Sequence, residues 1–407
     1  MRRGIWRVFA YWRAERRTIG QGFVALVISS LGSLVAGIAL GSITGTLERL
    51  PGLMVMVPAA IGMRGNIFGA LGSRLGTSIH SGMYSPTRER EGVLFQNIYA
   101  VTVLTFAISL LEGALAKTMT VAFGVTSIGM LDFVVIAIVG AVLSSVVVGA
   151  FTIALSRSAY RRGWDLDSVA GPLITAAGDM VTVPALFLAT FLIGITGVTP
   201  AVAALAVVGA LFLTIRGLTT DLEMTRRILR ESLPILAVAG TVDILAGLVV
   251  ESRLERFLVL PALLVLIPPY LEGQGALGAI LSSRLASKLH LGAIAPRLRP
   301  ESVAWLDASI VFLFSVVNWV LTGVAAHLAA GLIGLSSPGM VDMIGITVLA
   351  GLIATVPLIV VAYYTAVATF RLGLDPDNHG IPMITSSMDF VGVISLVVAL
   401  LVYGVGS

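Results

Sequence analysis

The sequence predicts an all-α integral membrane protein of about eleven transmembrane helices, built as two parallel five-helix repeats joined by one extra helix. Three observations predict it. Hydrophobic residues make up 57% of the chain and charged residues 12%, about half the charge of an ordinary soluble domain. Apolar runs near the ~20 residues that cross a bilayer recur along the whole length. Residues 210 apart also correspond without a gap between Ser33 and Asp389. Pro51 pairs with Pro261, Pro58 with Pro268, Gly65 with Gly275, Arg74 with Arg284, His80 with His290 and Asp132 with Asp342. Further on, Asp165 pairs with Asp375, Pro172 with Pro382, Thr175 with Thr385 and Asp179 with Asp389.

The first element is an arm, residues 1–18, in which Arg2, Arg3, Arg7, Arg13, Arg16 and Arg17 are mixed with Trp6, Phe9, Tyr11 and Trp12. Basic residues among interfacial aromatics suit a helix lying on the cytoplasmic leaflet, and the arm lacks the apolar core of a cleaved signal. A first five-helix repeat follows over 19–197, with spans predicted near 20–42, 52–73, 92–115, 129–156 and 171–195. A linking transmembrane helix and loop occupy 198–228, the helix near 199–215. The second repeat, 229–407, places spans near 229–251, 259–283, 302–332, 340–370 and 381–404. Five spans reverse the direction of the chain, so the extra helix is what makes the two copies parallel. The longest polar stretches are loops between spans, which leaves no room for a soluble domain.

Basic residues set the expected orientation. With the N-terminus inside, the cytoplasmic segments take the arm, 74–90, 157–162, 216–230, 284–299 and Arg371. Of 26 lysines and arginines, only Arg49, Lys117, Arg253 and Arg256 then lie outside, with Arg64 inside the membrane. The expected location is a multi-pass protein of the cell membrane, N-terminus cytoplasmic and C-terminus outside. A net charge of +4 reports this orientation rather than a nucleic acid partner.

The last span of each repeat carries the same polar pattern. A loop carboxylate pair (Asp165 and Asp167, or Asp375 and Asp377) precedes Pro172, Thr175 and Asp179 in one copy and Pro382, Thr385 and Asp389 in the other. Proline at i−7, threonine at i−4 and aspartate at i share one helix face over about 10 Å. An aspartate inside a span costs roughly 2.5–3.5 kcal/mol unless it is paired or borders water. One such residue could simply bind two helices together. Two related by the repeat and aimed at one seam make a site of charge up to −2, suited to a hard divalent cation with oxygen ligands. Cysteine is absent and the histidines are His80, His290, His327 and His379 only, which excludes thiolate sites and leaves oxygen or scattered imidazole.

The second span of each repeat is predicted to be broken. Pro58 and Pro268 free the carbonyls of Met54 and Leu264, and Gly62, Gly65, Gly273 and Gly275 let the backbone open. Arg64 and Asn66 in one copy, Glu272 and Gln274 in the other, place polar side chains at the same level. Arg74 and Arg284 are expected at the cytoplasmic ends of these helices, snorkelling, capping carbonyls or contacting a gate. Asn97 aligns with Asp307 where either could line a vestibule, and Glu112 has Thr322 as its counterpart.

With Pro58 through Gly65 and Asn66 to Ser73-Arg74-Leu75, Pro268 through Gly275 to Ser283-Arg284-Leu285, and the stretches 165–179 and 375–389, the chain resembles the MgtE-type magnesium transporters. It resembles most their two-repeat solute carrier relatives. The resemblance implies that the repeats at 19–197 and 229–407 are MgtE-like membrane domains acting as a pair, with Asp179 and Asp389 as central ligands of magnesium. The family's one-repeat members also carry cytoplasmic magnesium-sensing domains, which are not expected here. It departs from the family's pattern at Ala276, where asparagine is expected, and at Glu272, which replaces the glycine seen at Gly62; this bears on the symmetry of the path.

The leading expectation is therefore divalent cation transport, most simply of magnesium, along an oxygen-lined path between the repeats. The candidate metal-contacting residues are Asp179, Asp389, Thr175, Thr385, Asn66 and Glu272. The metal is a transported substrate and no cofactor is expected. Partners are the divalent cation and the lipid bilayer, with sodium or proton as a candidate coupling ion, in a monomeric pseudo-dimer or a homodimer. No nucleotide-binding motif is visible, and uptake needs none. Two alternatives are an intramembrane aspartyl protease, for which Gly178-Asp179 is a faint signal, and a cation-coupled carrier of a small solute, which would want an aromatic-lined pocket.

Overall fold

The structure, a computed structural model, describes residues 2–84, 89–162 and 166–405. The described residues form fourteen α-helices: α1 (Arg2–Ala14), α2 (Arg16–Ser42), α3 (Thr44–Arg49), α4 (Leu53–His80), α5 (Val93–Ala122), α6 (Met130–Arg162), α7 (Leu166–Thr190), α8 (Val198–Leu218), α9 (Glu223–Glu251), α10 (Leu254–Val259), α11 (Ala262–His290), α12 (Ser302–Leu332), α13 (Met340–Leu372) and α14 (Ile381–Val402). Eleven of them are long and apolar enough to cross a membrane, in the order the sequence predicts. The two short helices, α3 and α10, stand at equivalent places before Pro51 and Pro261 and were not foreseen. A single π turn, Pro376–Gly380, leads into α14.

The repeats interleave. The first helix of each copy packs most extensively on the second helix of the other, α2 on α11 and α9 on α4. Glycine permits these crossings. A Cβ added at Gly37 would lie 2.1 Å from the Val265 carbonyl oxygen, and one at Gly247 would lie 2.1 Å from that of Val55. These are the same contact made twice, since Gly247 and Val265 are the counterparts of Gly37 and Val55. In a bilayer, close backbone approach through small residues supplies the van der Waals contact that apolar burial cannot. Around this centre α5, α6 and α7 surround α4 as α12, α13 and α14 surround α11, while α8 lies against α5 and α6.

Two expectations about the second spans are corrected. Helices α4 and α11 are not interrupted at Pro58 and Pro268. Each proline lies in the second turn and forfeits its own bond to the carbonyl of Met54 or Leu264, and the helix continues past that single loss. Both helices also run to His80 and His290, and Arg74 and Arg284 sit more than a turn before their ends. Neither arginine snorkels. Arg74 Nε donates to Asn97 Oδ1 at 2.8 Å, and Arg284 Nε donates to Asp307 Oδ1 at 2.9 Å. Asn97 and Asp307 thus hold the second helix to the third in each copy.

The arm is tied to the second repeat at this level. Tyr11 donates to Asp307 Oδ1 at 2.8 Å, Lys288 donates to the Tyr11 hydroxyl at 2.6 Å, and Trp12 Nε1 donates to Ser309 at 3.0 Å. Trp6 and Phe9 remain exposed.

Candidate functional site

Between the repeats lies a cavity of about 510 Å³, bounded by α2, α4, α7, α11 and α14. Its lining on α4 runs from Val57 to Thr77, about 30 Å of helix at 1.5 Å per residue. At one end it stops at Val57 and Ile267, which are repeat equivalents. Beyond them Met54, Val55, Leu264 and Val265 are fully buried, at the level where the Gly37 and Gly247 crossings bring the backbones together. At the other end the lining reaches Ser73, Thr77 and Ser283, near the half-buried Arg74 and Arg284.

All six residues singled out by the sequence, Asp179, Asp389, Thr175, Thr385, Asn66 and Glu272, line this cavity. Their placement follows from helix geometry: α7 and α14 each present threonine and aspartate one turn apart toward the seam. The threonine methyls seat the helices, because a Cβ at Gly65 would touch Thr175 Cγ2 at 3.4 Å and one at Gly275 would touch Thr385 Cγ2 at the same distance. The Thr385 hydroxyl donates across the seam to Asn66 Oδ1 at 3.3 Å. Asp165 lies outside the described residues, and Asp375 is exposed ahead of the π turn.

The carboxylates are held from the first helices. Ser33 on α2 donates to Asp179 Oδ2, and Ser29, one turn earlier, donates to Glu272 Oε1 at 2.5 Å. Asp179 Oδ1 has no protein partner. In the second repeat the position of Ser33 is taken by Asp243 on α9, a residue sequence reasoning missed. Asp243 is fully buried, and neither carboxylate oxygen meets hydrogen-bond geometry with a partner. A Cβ at Gly62 would lie 3.1 Å from Asp243 Oδ2 and 3.6 Å from Asp389 Oδ2, so both carboxylates abut the same glycine. An aspartate in the middle of an apolar span was the available signal; matching copy to copy passed over it because its counterpart is a serine.

Behind α4, Arg64 is buried. It donates to Ser145 Oγ at 2.6 Å and interacts electrostatically with buried Glu112. Glu112, which the sequence left without a role, is thus an opposite charge buried within electrostatic reach of Arg64 and not in salt-bridge contact with it.

Among the described residues no three acidic or histidine side chains converge tightly enough to ligate a bare metal ion. The arrangement is instead a wide cavity with dispersed carboxylate, hydroxyl and amide groups, which can accept a cation that keeps part of its water shell.

A model of the MgtE family, described as divalent cation transporter, matches residues 57–189 and 267–399. The chain belongs to the MgtE family. The two matched segments are offset by the same 210 positions as the repeat, and between them they hold all six candidate residues. Among curated proteins, the chain is similar to solute carrier family 41 member 3 of Rattus norvegicus, 26% identical over 398 residues covering 92% of this chain and 85% of the relative. The mouse member 3 is 27% identical over 361 residues, covering 84% and 73%. Solute carrier family 41 member 2 of Xenopus laevis is 24% identical over 408 residues, covering 93% and 71%. No solved structure matches. As a multi-pass MgtE protein, the chain is a member of a divalent cation transporter family; α2, whose serines hold Asp179 and Glu272, and α9, which carries Asp243, lie outside both matched segments.

Proposed function

We propose that this protein moves magnesium across the cell membrane through the cavity between its repeats, with Asp179 and Asp389 as the central groups on the path. The observation that carries the reading is the convergence on one membrane-depth cavity of both aspartates with Thr175, Thr385, Asn66 and Glu272. Each is an oxygen-bearing side chain, the donor type hard divalent cations take, and magnesium, which sheds water reluctantly, suits a wide site with few direct contacts. Magnesium, manganese and cobalt should therefore pass or compete, with no special preference for zinc or copper.

The arm 1–18, the repeats 19–197 and 229–407 and the link 198–228 are proposed as the working parts, with the N-terminus cytoplasmic. On that orientation the cavity extends toward the cytoplasm and the apolar packing beyond Val57 and Ile267 closes the outer side. A divalent ion entering down a 100 mV inside-negative potential gains about 4.6 kcal/mol, so uptake needs no further energy. Export would need coupling, for which a sodium or proton gradient is the candidate.

The test is magnesium flux into proteoliposomes holding the purified chain, with and without a sodium or proton gradient. Flux that depends on the protein and vanishes in Asp179→Asn supports the reading. Normal flux in both Asp179→Asn and Asp389→Asn would make the aspartates structural.

A further inference from the structure

The two halves of the cavity are not equivalent, and the difference lies in the first helices and in one substitution on α11. Around Asp179 stand Ser33, Ser29 and Glu272. At the equivalent positions around Asp389 stand Asp243, Ala239 and Gly62. The first half thus offers two carboxylates lining the cavity, Asp179 and Glu272, each accepting a hydrogen bond from a serine of α2. The second half offers one lining carboxylate, Asp389; its companion Asp243 is outside the lining, against Gly62.

Ser29 and Ser33 are four residues apart, on one face of α2 and one turn of about 5.4 Å along it. The carboxylates they hold are therefore about one turn apart too, close enough to share a single partly hydrated divalent ion. Glu272 is the leading charged neighbour of Asp179, ahead of Asp389, and its field reaches Asp389 too. Asp179 lines the cavity at 1% exposure, and its Oδ1 oxygen is buried with no hydrogen-bond partner in the protein, beside a second carboxylate. A hydroxyl that donates to one oxygen of a carboxylate fixes the rotation of the group and leaves the other oxygen for a ligand.

We infer that the cation is held off the pseudo-symmetry axis, by Asp179 and Glu272, and that Ser33 and Ser29 are the positioning residues that set these two carboxylates for it. Asp389 then acts on passage more than on holding. The inference rests on the reading of this cavity as a divalent cation path. Because the position of Ser33 carries Asp243 in the other repeat, the first helix of each repeat sets what its half of the cavity can hold.

Binding of Mn²⁺ to the purified full chain in detergent, followed by electron paramagnetic resonance in competition with Mg²⁺, separates holding from passage. Asp179→Asn and Glu272→Gln should each weaken Mn²⁺ binding by about tenfold or more, on the order of 1.4 kcal/mol. Asp389→Asn should change binding by less than about threefold while reducing flux. Ser29→Ala with Ser33→Ala should weaken binding by about tenfold at unchanged thermal stability, and Ser29→Thr with Ser33→Thr, which keeps both hydroxyls, should restore it. If the double alanine variant does not assemble, each single serine variant carries the same test.

Equal losses in Asp179→Asn and Asp389→Asn, with wild-type binding in Glu272→Gln, would put the ion on the axis and overturn the inference. Unchanged binding on loss of both hydroxyls would remove the serines from it. A wild-type chain that neither binds Mn²⁺ nor carries divalent flux would instead sink the proposed function itself.

Discussion

In the first repeat Arg64 on α4 and Glu112 on α5 are both buried; at the same places in the second repeat stand Gln274 and Thr322. Two opposite charges within electrostatic reach of each other have both been exchanged for neutral residues within one chain, as expected if neither charge is tolerable alone in the membrane. The helix crossings behave differently. Gly37 against Val265 and Gly247 against Val55 repeat to the same distance, and Gly113 and Gly323 both press on the backbone of the following helix, at 3.0 and 2.8 Å for an added Cβ. The comparison teaches that the frame is constrained to be twofold by backbone packing, whereas polar groups can diverge wherever a compensating partner diverges with them. The cavity combines the two: symmetric threonines and aspartates on α7 and α14, unlike partners on α2, α9, α4 and α11.

Variants can break this contrast, and the largest effect is expected on transport. Asp179→Asn should abolish magnesium flux in proteoliposomes, at least a hundredfold, about 2.7 kcal/mol, while the chain still reaches the membrane. The mutation removes a charge that is expensive to bury, so loss of expression would point to a structural role. Next come the two buried charges. Glu112→Thr alone strands Arg64 and should destabilise the protein by roughly 3–5 kcal/mol, read as a fall in thermal midpoint in detergent. Adding Arg64→Gln, which copies the second repeat, should recover most of it. Additive losses in the double variant would mean that the two charges are not partners.

A smaller effect tests the frame. Gly37→Ala and Gly247→Ala should each cost about 1–3 kcal/mol by overpacking, and the two should agree closely, since their contacts are the same. A large loss at one and none at the other would show that the crossings are less symmetric than their geometry. Smallest of all should be Glu251→Gln. This carboxylate accepts from the Gly52 and Met54 amides at 2.7 and 3.2 Å at the start of α4, and its counterpart is Gly41. The exchange leaves one acceptor oxygen for two amide donors and should cost about 1 kcal/mol, with flux intact.

Much of this was legible in the sequence because repetition is itself a measurement. The eleven spans, their order and the six candidate residues emerged from apolar length and from pairs such as Asp179 and Asp389. Asn66 and Glu272 stood out as polar groups in an apolar span although the copies do not share them; other unshared groups escaped. Asp243 was passed over because Ser33 stands opposite it, and Ser29 because an isolated serine in a span carries no periodic signal. The proximity of Arg64 to Glu112 depends on how α4 and α5 face each other, which spacing along one helix does not specify. The swap of α2 and α9 between repeats is a choice of partner, and apolar periodicity is satisfied by any apolar partner. The uninterrupted α4 and α11 correct a rule applied without position: proline breaks a helix interior, and Pro58 and Pro268 are near its start.

The account stands or falls on where the ion rests. A structure of the full chain in the presence of Mn²⁺, with the ion located by its anomalous scattering, tests this most directly. The predicted result is a peak in the cavity beside Asp179 and Glu272, below Val57 and Ile267, that disappears in Glu272→Gln. A peak midway between Asp179 and Asp389 that survives Glu272→Gln would restore a symmetric site, and an empty cavity in a chain that transports divalent ions would contradict the path itself.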